Sequence, residues 1–297
     1  MKTVANSNYI MSKEIPPCET ASQGEVIVFC SEDAYAGNIK SEADLLGDLP
    51  MDESNPTAGP VFIEGAHAGD TLAVKIEKIE MESPGIICTS AGWGSLCEHM
   101  EERTAFIPLE GDYGIFKGIR IPLNPMVGTI GTAPEEPIAS GYPGRHGGNF
   151  DSTVIRPGCT LYLPVFAEGA LLQAGDLHAI MGDGELCGAG VEVAGKTHLT
   201  ATVLPGFKLN WPVSKDENGW YVHGCGANYE AALKNACLEL QRLIVNAWGW
   251  DETDAYFYIG MQGSAAANQT CTNPIPEYEM AVRVHVPLRE DMPPLVG

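Results

Sequence analysis

Imidazole and carboxylate side chains gather after the second of two similar segments of this 297-residue chain. The segments read PVFIEGAHAGDTLA (60–73) and PVFAEGALLQAGDLHA (164–179), and so many shared residues in one order indicate two related β units. After Gly69-Asp70 the first copy continues as the alternating strand TLAVKIEKIE. After Gly175-Asp176 the second copy continues among glycines and adds side chains that can bind a cation or carry a proton: His178, Asp183, Glu185 and Glu192. Because the first copy has the shared turns without this polar excess, the excess is a candidate site.

A glycine-rich loop precedes the second copy and supplies further polar side chains. It reads GYPGRHGGNFD (141–151), and its four glycines would let the backbone approach a ligand closely. His146, Asn149 and Asp151 project from this loop. The loop runs into the second β unit through Pro157 and Gly158, so we expect it to lie beside the polar residues that follow that unit.

The residue types favour a divalent cation. His146, His178 and the nearby carboxylates form a mixed nitrogen and oxygen set, from which Zn²⁺ takes three ligands and leaves a place for water. A mainly carboxylate set would suit Ca²⁺ or Mg²⁺ instead. The spacing Asp176-x-His178 places both side chains on one face of a strand, which is a chelating arrangement. Gly-Asp occurs in both copies, so a turn role for Asp176 remains open.

A covalent nucleophile is the alternative chemistry. Cys187 follows Glu185 by two residues in GDGELCG, and a cysteine near a carboxylate and a histidine can form a thioester. A cysteine among glycines beside a strand is more often a small buried apolar group. The nine cysteines include no CxxC pair, which favours reduced thiols.

The elements that must position these groups are mainly strands. Thirty-four glycines and 21 prolines divide the chain into short pieces, typical of a β-rich fold. Apolar residues alternate with polar ones over 72–76 and 282–286, which predicts half-buried strands. Further predicted strands are Glu25–Cys30, Thr160–Val165, Leu199–Leu204 and Tyr256–Ile259.

One long helix is predicted in the second half of the chain, with Asn228 as its N-cap and Gly249 at its end. The predicted fold is therefore mainly β, as packed sheets or a distorted barrel containing the internal repeat (about 60–80 and 164–192), with minor helical content. We expect a β-rich core over 1–212, with the helix and C-terminal strands of 213–297 packed on it.

Charge and hydropathy exclude some classes of function. The net charge of −22 opposes binding to nucleic acid, whose phosphates require a basic surface. No apolar run approaches the ~20 residues of a membrane span. The N-terminal residues lack the apolar stretch of a signal peptide, so we expect a cytoplasmic protein.

At several motifs the chain resembles the acetamidase/formamidase family. The matching stretches are NPTAGPVFIEGAHAGDTLAVKI (55–76), PMVGTIGTAP (125–134), HGGNFD (146–151), PGCTLYLPVFAEGALLQAGDLHAIMGDGELCGAGVE (157–192) and LNWP (209–212). The resemblance implies a β-rich fold, hydrolysis of short amides to ammonia and a carboxylic acid, oligomers, and an association with divalent metal. The family's polar positions fall on Asn149, Asp151, Asp176, His178, Asp183, Glu185 and Glu192. Met181 stands where some members carry Gln, and would make the acyl pocket more apolar if it lined that pocket.

We therefore predict an amidohydrolase acting on acetamide or formamide, assisted by a divalent metal. Zn²⁺ is the first choice and Ca²⁺ the second. The predicted metal ligands are His146, Asp151, Asp176 and His178. The predicted catalytic residues are Asn149, Asp183, Glu185 and Glu192, with Glu185 as proton shuttle. The partners expected are a small amide substrate and further copies of the chain. The alternatives are a non-catalytic metal- or small-ligand-binding β module and an amidase that uses Cys187 as nucleophile.

Overall fold

A computed structural model describes residues 1–50, 53–269 and 279–297. The fold is mostly β, with 42% of the described residues in strands and 13% in helices. The strands in chain order are β1 (Lys2–Val4), β2 (Ile10–Met11), β3 (Glu19–Ala21), β4 (Val26–Ser31), β5 (Thr57–Ile63), β6 (Thr71–Met81), β7 (Gly85–Thr89), β8 (Arg103–Ile107), β9 (Leu109–Glu110), β10 (Tyr113–Phe116), β11 (Ile119–Pro122), β12 (Met126–Gly131), β13 (Ile138–Ala139), β14 (Pro143–Gly144), β15 (Gly147–Asn149), β16 (Thr160–Pro164), β17 (Leu172–Ile180), β18 (Val191–Val193), β19 (Gly195–Leu204), β20 (Val213–Lys215), β21 (Gly219–Gly226), β22 (Ser264–Gln269) and β23 (Met280–Pro287). The helices are α1 (Tyr229–Trp248) and α2 (Glu252–Gln262), with short 3-10 turns at Leu46–Asp48 and Cys97–His99.

Two nine-stranded sheets carry most of these strands. The first has the order β1-β4-β19-β6-β16-β20-β21-β23-β22. The second has the order β14-β15-β12-β17-β18-β7-β8, with β5 paired to β17 and β3 paired to β5. Neither sheet closes on itself over the described residues, so the packed-sheet form of the prediction is confirmed.

The two copies of the repeat pair with each other. The first strand of one copy pairs with the second strand of the other, β5 with β17 and β6 with β16, both antiparallel. The turns also exchange backbone hydrogen bonds, with Gly69 N donating to Val165 O and Gly169 N donating to Ala66 O. The copies differ at Gly175 and Asp176, which lie inside β17 and not in the turn that Gly69 and Asp70 form.

The main core lies between the sheets. Leu72, Val74 and Ile76 of β6 are fully buried, as their alternation predicts, and they pack with Leu161 and Leu163 of the neighbouring β16. Apolar burial of this extent is the main favourable term in folding, at roughly 25 cal/mol for each Å² removed from water. The predicted strands near 26–31, 160–164, 195–204 and 280–287 are also present.

The predicted long helix is confirmed as α1. The Asn228 side chain accepts a hydrogen bond from Ala231 N, and Gly249 ends the helix in the left-handed conformation. The predicted strand Tyr256–Ile259 is wrong, because these residues lie within α2. Asp251 caps α2 by accepting hydrogen bonds from Thr253 N and Asp254 N, and this capping outweighs the strand preference of the aromatic residues.

The C-terminal strands continue the first sheet, because β16 pairs with β20 and the order runs on through β21, β23 and β22. Both helices pack on this end of the sheet in a second apolar cluster. The boundary between 212 and 213 stays a prediction. Within the described residues, no helix has the length and apolar character needed to span a bilayer.

Candidate functional site

Five of the predicted polar residues meet in the interior and are called the acidic cluster below. Its members are Asp151, Asp176, His178, Glu185 and Glu192, and none is more than 5% exposed. The imidazole is the centre of the group. His178 Nε2 lies 3.2 Å from Glu192 Oε2, 3.5 Å from Asp176 Oδ1 and 3.7 Å from Asp151 Oδ1.

Several separate segments position the acidic cluster. Asp176 and His178 lie on β17, and Glu192 on β18 is paired opposite His178. Asp151 follows β15, and Glu185 lies in the connection between β17 and β18. Asp151, Asp176 and Glu185 all have positive φ angles, of 48°, 57° and 44°. Residues other than glycine rarely adopt this backbone conformation, and those that do are concentrated at functional sites.

Two glycines let the cluster pack this closely. A Cβ atom on Gly128 of β12 would overlap the carboxylate oxygens of Asp176 and Asp151. A Cβ atom on Gly190 would overlap the imidazole of His178. Any larger residue at either position would push the functional groups apart.

Hydrogen bonds fix the orientation of the carboxylates. Gln269 Nε2, on β22 of the other sheet, donates to Asp151 Oδ2 at 2.7 Å and to Glu185 Oε2 at 2.9 Å. The hydroxyl of Thr129 lies 2.8 Å from Asn149 Oδ1 and 3.2 Å from Asp176 Oδ2. Gly190 N donates to Glu192 Oε1.

The acidic cluster places four buried carboxyl groups around a single imidazole, so ionised carboxylates in it repel one another. Burial, together with Glu185 and Asp176, raises the pKa of Asp151 well above its usual value. Burial likewise raises the pKa of Glu192 to about 8. Burial disfavours the charged form of His178, but Glu192 and Asp176 outweigh it and raise its pKa. Buried charge of one sign is costly unless a counter-charge is present.

The residues fit a divalent cation. One oxygen on each of Asp151, Asp176 and Glu192 is buried and takes part in no hydrogen bond, although each lies within 4 Å of His178 Nε2. Two groups, each with donor atoms within 4.8 Å of one another, could hold an ion: Asp151, Asp176 and His178, and His178, Glu185 and Glu192. One imidazole nitrogen with carboxylate oxygens suits Zn²⁺ and other divalent ions.

The other imidazole nitrogen of His178 contacts Met181, with Nδ1 3.1 Å from the thioether sulfur. Asn124 holds the main chain of Met181 by donating to its carbonyl oxygen and accepting from its N–H. Met181 therefore lies behind the acidic cluster and does not line the cleft described below.

Three predicted site residues lie outside both cation groups: Asn149, which lines the cleft described below, His146 and Asp183. His146 is buried against Gly144 and Gly148, and burial lowers its pKa to about 4. The carboxylate of Asp183 is about half exposed and accepts hydrogen bonds from Thr153 Oγ1 at 2.6 Å and Arg283 Nη2 at 2.7 Å. The connection after β17 carries Asp183 outward, where an ion pair with Arg283 occupies it.

Cys187 belongs to neither cation group, although it shares a neighbouring cavity with Glu185. Its Sγ donates to the carbonyl of Ala189 at 3.2 Å, and burial raises the pKa of the thiol. A thiol with a raised pKa holds less of the reactive thiolate form. It lines a neighbouring apolar cavity with Ile180 and Leu186.

A cleft of about 360 Å³ opens onto the acidic cluster. Asp176, Glu185 and Glu192 line it together with Asn149 and Gln269. The remaining lining residues are apolar, aromatic or small and polar: Tyr9, Ala34, Tyr35, Leu46, Ser54, Asn55, Trp93, Ala139, Gly141, Tyr142, Gly188 and Ala189. The cluster is thus accessible to a small molecule.

Sequence reasoning missed Gln269, Thr129 and Gly128. Gln269 follows SAAAN, a stretch with no local sign of a site. The pairing of β22 with β23 and a β-bridge between Gln269 and Gly184 bring it to the acidic cluster. Gly128 and Thr129 lie in PMVGTIGTAP, the stretch that forms β12, and β12 pairs with β17 along its edge.

Comparison with known proteins gives consistent results. A family model described as Acetamidase/Formamidase family matches residues 8–142 and 138–269. An acetamidase of Mycolicibacterium smegmatis is 27% identical, over 86% of each chain. A relative from Schizosaccharomyces pombe is 27% identical over 256 residues, and the alignment spans 62% of its length. A crystal structure of an acetamidase from Bacillus halodurans has a TM-score of 0.92 and 34% identity, covering 96% of this chain and 97% of that one. These matches confirm the resemblance drawn from the motifs and, at the level of the family, the predicted amidohydrolase class.

Proposed function

Because the chain belongs to the Acetamidase/Formamidase family, we propose that it hydrolyses a linear amide to ammonia and a carboxylate. One observation carries the proposal: a buried set of carboxylates around one imidazole lies at the floor of a cleft that a small molecule can enter. Amide resonance makes the carbonyl a poor electrophile, so hydrolysis requires an activated water, a stabilised oxyanion and a proton for the leaving nitrogen.

We propose that the predicted ligands Asp151, Asp176 and His178 hold a divalent cation, with Zn²⁺ as the first candidate and Ca²⁺ as the second. Glu192, predicted from the sequence as a catalytic residue, is proposed as the fourth ligand in place of His146, because its Oε2 lies 3.2 Å from His178 Nε2. Such an ion, when bound, lowers the pKa of water and polarises carbonyl groups. The chain supplies the site with anionic and imidazole donors already held in place by Gly190 N, Thr129 and Gln269. His146 and Asp183 lie outside both cation groups, so the mechanism gives them no step.

Glu185 is the proposed proton shuttle. It lines the cleft, and Gln269 orients its carboxylate. Burial raises its pKa, so the group can both take a proton from the attacking water and give it to the departing nitrogen. Asn149 also lines the cleft and is proposed to donate its side-chain N–H to the carbonyl oxygen as negative charge develops there.

The variant Glu185→Gln tests this assignment. We expect kcat for ammonia release to fall by about 10²–10⁴-fold, with folding and metal content unchanged. Glu168→Gln is the matched control, because Glu168 is exposed, forms an ion pair with His67 and does not line the cleft. Full activity in Glu185→Gln would rule out the shuttle.

Metal removal tests the wider proposal. Treatment with a chelator is expected to abolish ammonia release from acetamide and formamide, and added Zn²⁺ or Ca²⁺ to restore it. Metal binding without ammonia release from any amide would favour the non-catalytic binding module. Loss of activity on alkylation but not on chelation would favour Cys187.

We also propose a homo-oligomer in the cytoplasm that does not bind nucleic acid. Tyr256, Phe257 and Met261 on α2 are 60%, 60% and 72% exposed, which suits a contact between copies. The described cysteines are free thiols, as a reducing compartment would keep them. Sedimentation of the wild type and of Phe257→Glu checks the first point, since the variant should lower the mass of the assembly.

A further inference from the structure

The cleft is larger than the smallest amides require. We propose, on the basis of the function proposed above, that the preferred substrate is an uncharged amide carrying an aromatic or branched apolar group. The cleft measures about 360 Å³, within the range of roughly 300–1,000 Å³ found for pockets that take drug-sized ligands. Acetamide and formamide are only a few times the size of a water molecule, which occupies about 30 Å³ in the liquid. Either would leave most of this space to solvent.

The walls of the cleft are apolar and aromatic. The rings of Tyr9, Tyr35, Trp93 and Tyr142 line it, with Leu46 beside them. Aromatic rings favour the faces and edges of other rings. With its carbonyl at the acidic cluster on the floor, a phenyl or branched alkyl amide extends further up the cleft than an acetyl or formyl amide and can cover more of these apolar walls.

Several distant segments build this wall and hold it in register. Ala139 of β13 pairs with Ile10 of β2, and Ser140 N donates to Tyr9 O, which brings the N-terminal segment to the rim. Asn149 N donates to Tyr142 O, which ties the wall to the glycine-rich loop. The wall is therefore part of the folded framework and not a loose surface loop.

The charge of the cleft limits the substrate further. Among its described lining residues, the charged groups are Asp176, Glu185 and Glu192, with no lysine, arginine or histidine among them. The net charge of the chain is −22. A carboxylated amide would approach this acidic chain against like charge, whereas a neutral amide would not.

The test compares kcat/KM for ammonia release from formamide, acetamide, benzamide, phenylacetamide and the anion 4-carbamoylbenzoate. We expect phenylacetamide to exceed acetamide by about tenfold or more, since even one methylene group in an apolar pocket changes kcat/KM by about tenfold or more. We expect 4-carbamoylbenzoate to fall below benzamide by roughly tenfold or more.

Variants then locate the effect. Ala139→Trp should narrow the cleft and lower the ratio of phenylacetamide to acetamide kcat/KM by about tenfold. Ala227→Trp, at an exposed position before α1, is the matched control and should leave the ratio unchanged. If thermal unfolding shows that Ala139→Trp does not fold, Leu46→Trp replaces it, because Leu46 also lines the cleft and a larger side chain there should narrow it.

The outcomes separate this inference from the proposed function. Acetamide or formamide turned over as well as the aromatic amides, or an unchanged ratio in the folded narrowing variant, would overturn the inference and leave the amidase proposal standing. Release of ammonia from no amide at all would refute the amidase proposal, and this inference with it.

Discussion

The close contact at Gly128 yields a sharp prediction for Gly128→Ala. A Cβ atom there would lie within 2.9 Å of Asp176 O and closer still to the carboxylate oxygens of Asp176 and Asp151. Ordinary contacts begin near 3.4 Å, so relief requires the carboxylates to move by about 1 Å. A displacement of this size at a reacting centre costs about 10²-fold in rate. We therefore expect kcat/KM to fall by about 10²-fold, together with weaker metal retention.

Three measurements on purified Gly128→Ala check this expectation. They are ammonia release, metal content by mass spectrometry, and urea unfolding, in which overpacking should remove about 1–3 kcal/mol. Gly182→Ala is the matched control, because a Cβ atom at Gly182 has no neighbour within 4 Å and its backbone is unstrained. Wild-type kcat/KM and full metal content in Gly128→Ala would show that the carboxylates of Asp151 and Asp176 need not stay where the structure places them.

Three further predictions concern groups outside the acidic cluster. Burial, aided by Arg283, lowers the pKa of His223 to about 3, against about 6.5 in an unfolded chain. Between those values the unfolded state binds the extra proton, so the free energy of unfolding should fall as the pH is lowered through this window, by up to about 5 kcal/mol. Urea titrations should show a flatter pH dependence in His223→Gln, and an identical slope in the two proteins would contradict the assignment. Cys187→Ala should keep kcat within about twofold of wild type, because the thiol pKa is raised and Ala189 holds the sulfur; a loss of several orders of magnitude would instead identify a nucleophile. Gly260→Ala, in the interior of α2 with no atom within 4 Å of the new Cβ, should add about 0.5–1 kcal/mol to the free energy of unfolding, and a lower urea midpoint would count against the open space seen there.

Much of the local structure could be predicted from the sequence because its causes are local. Alternation over 72–76 and 282–286 predicts strands that the structure contains, and Asn228 and Gly249 mark the two ends of α1. The same local reasoning failed at Tyr256–Ile259, where strand preference lost to the cap at Asp251 and to packing against α1. The strand preference of single residues contributes little to the free energy of folding, and tertiary packing overrides it.

The sequence likewise identified some residues of the candidate site and missed others. Comparing the two copies of the repeat was enough to identify His178, Glu185 and Glu192 as excess polar groups, and the glycine-rich loop added Asp151. That comparison could not separate these residues from Asp183, which the structure pairs with Arg283 at the edge of the site. It also gave no sign of Gln269, more than eighty residues along the chain from Glu185.

The amino-acid sequence was enough to establish which chemical groups are available, the β character of the chain and the family to which it belongs. The folded structure was needed to establish which of those groups lie next to one another, how large the cleft in front of them is, and which aromatic residues line it. The physical reason is that residue type and period act within a few positions, whereas the meeting of β12, β17 and β22 depends on pairings and packing between distant segments. A buried carboxylate and a solvated one have the same letter in a sequence, and their surroundings alone set their pKa and their use.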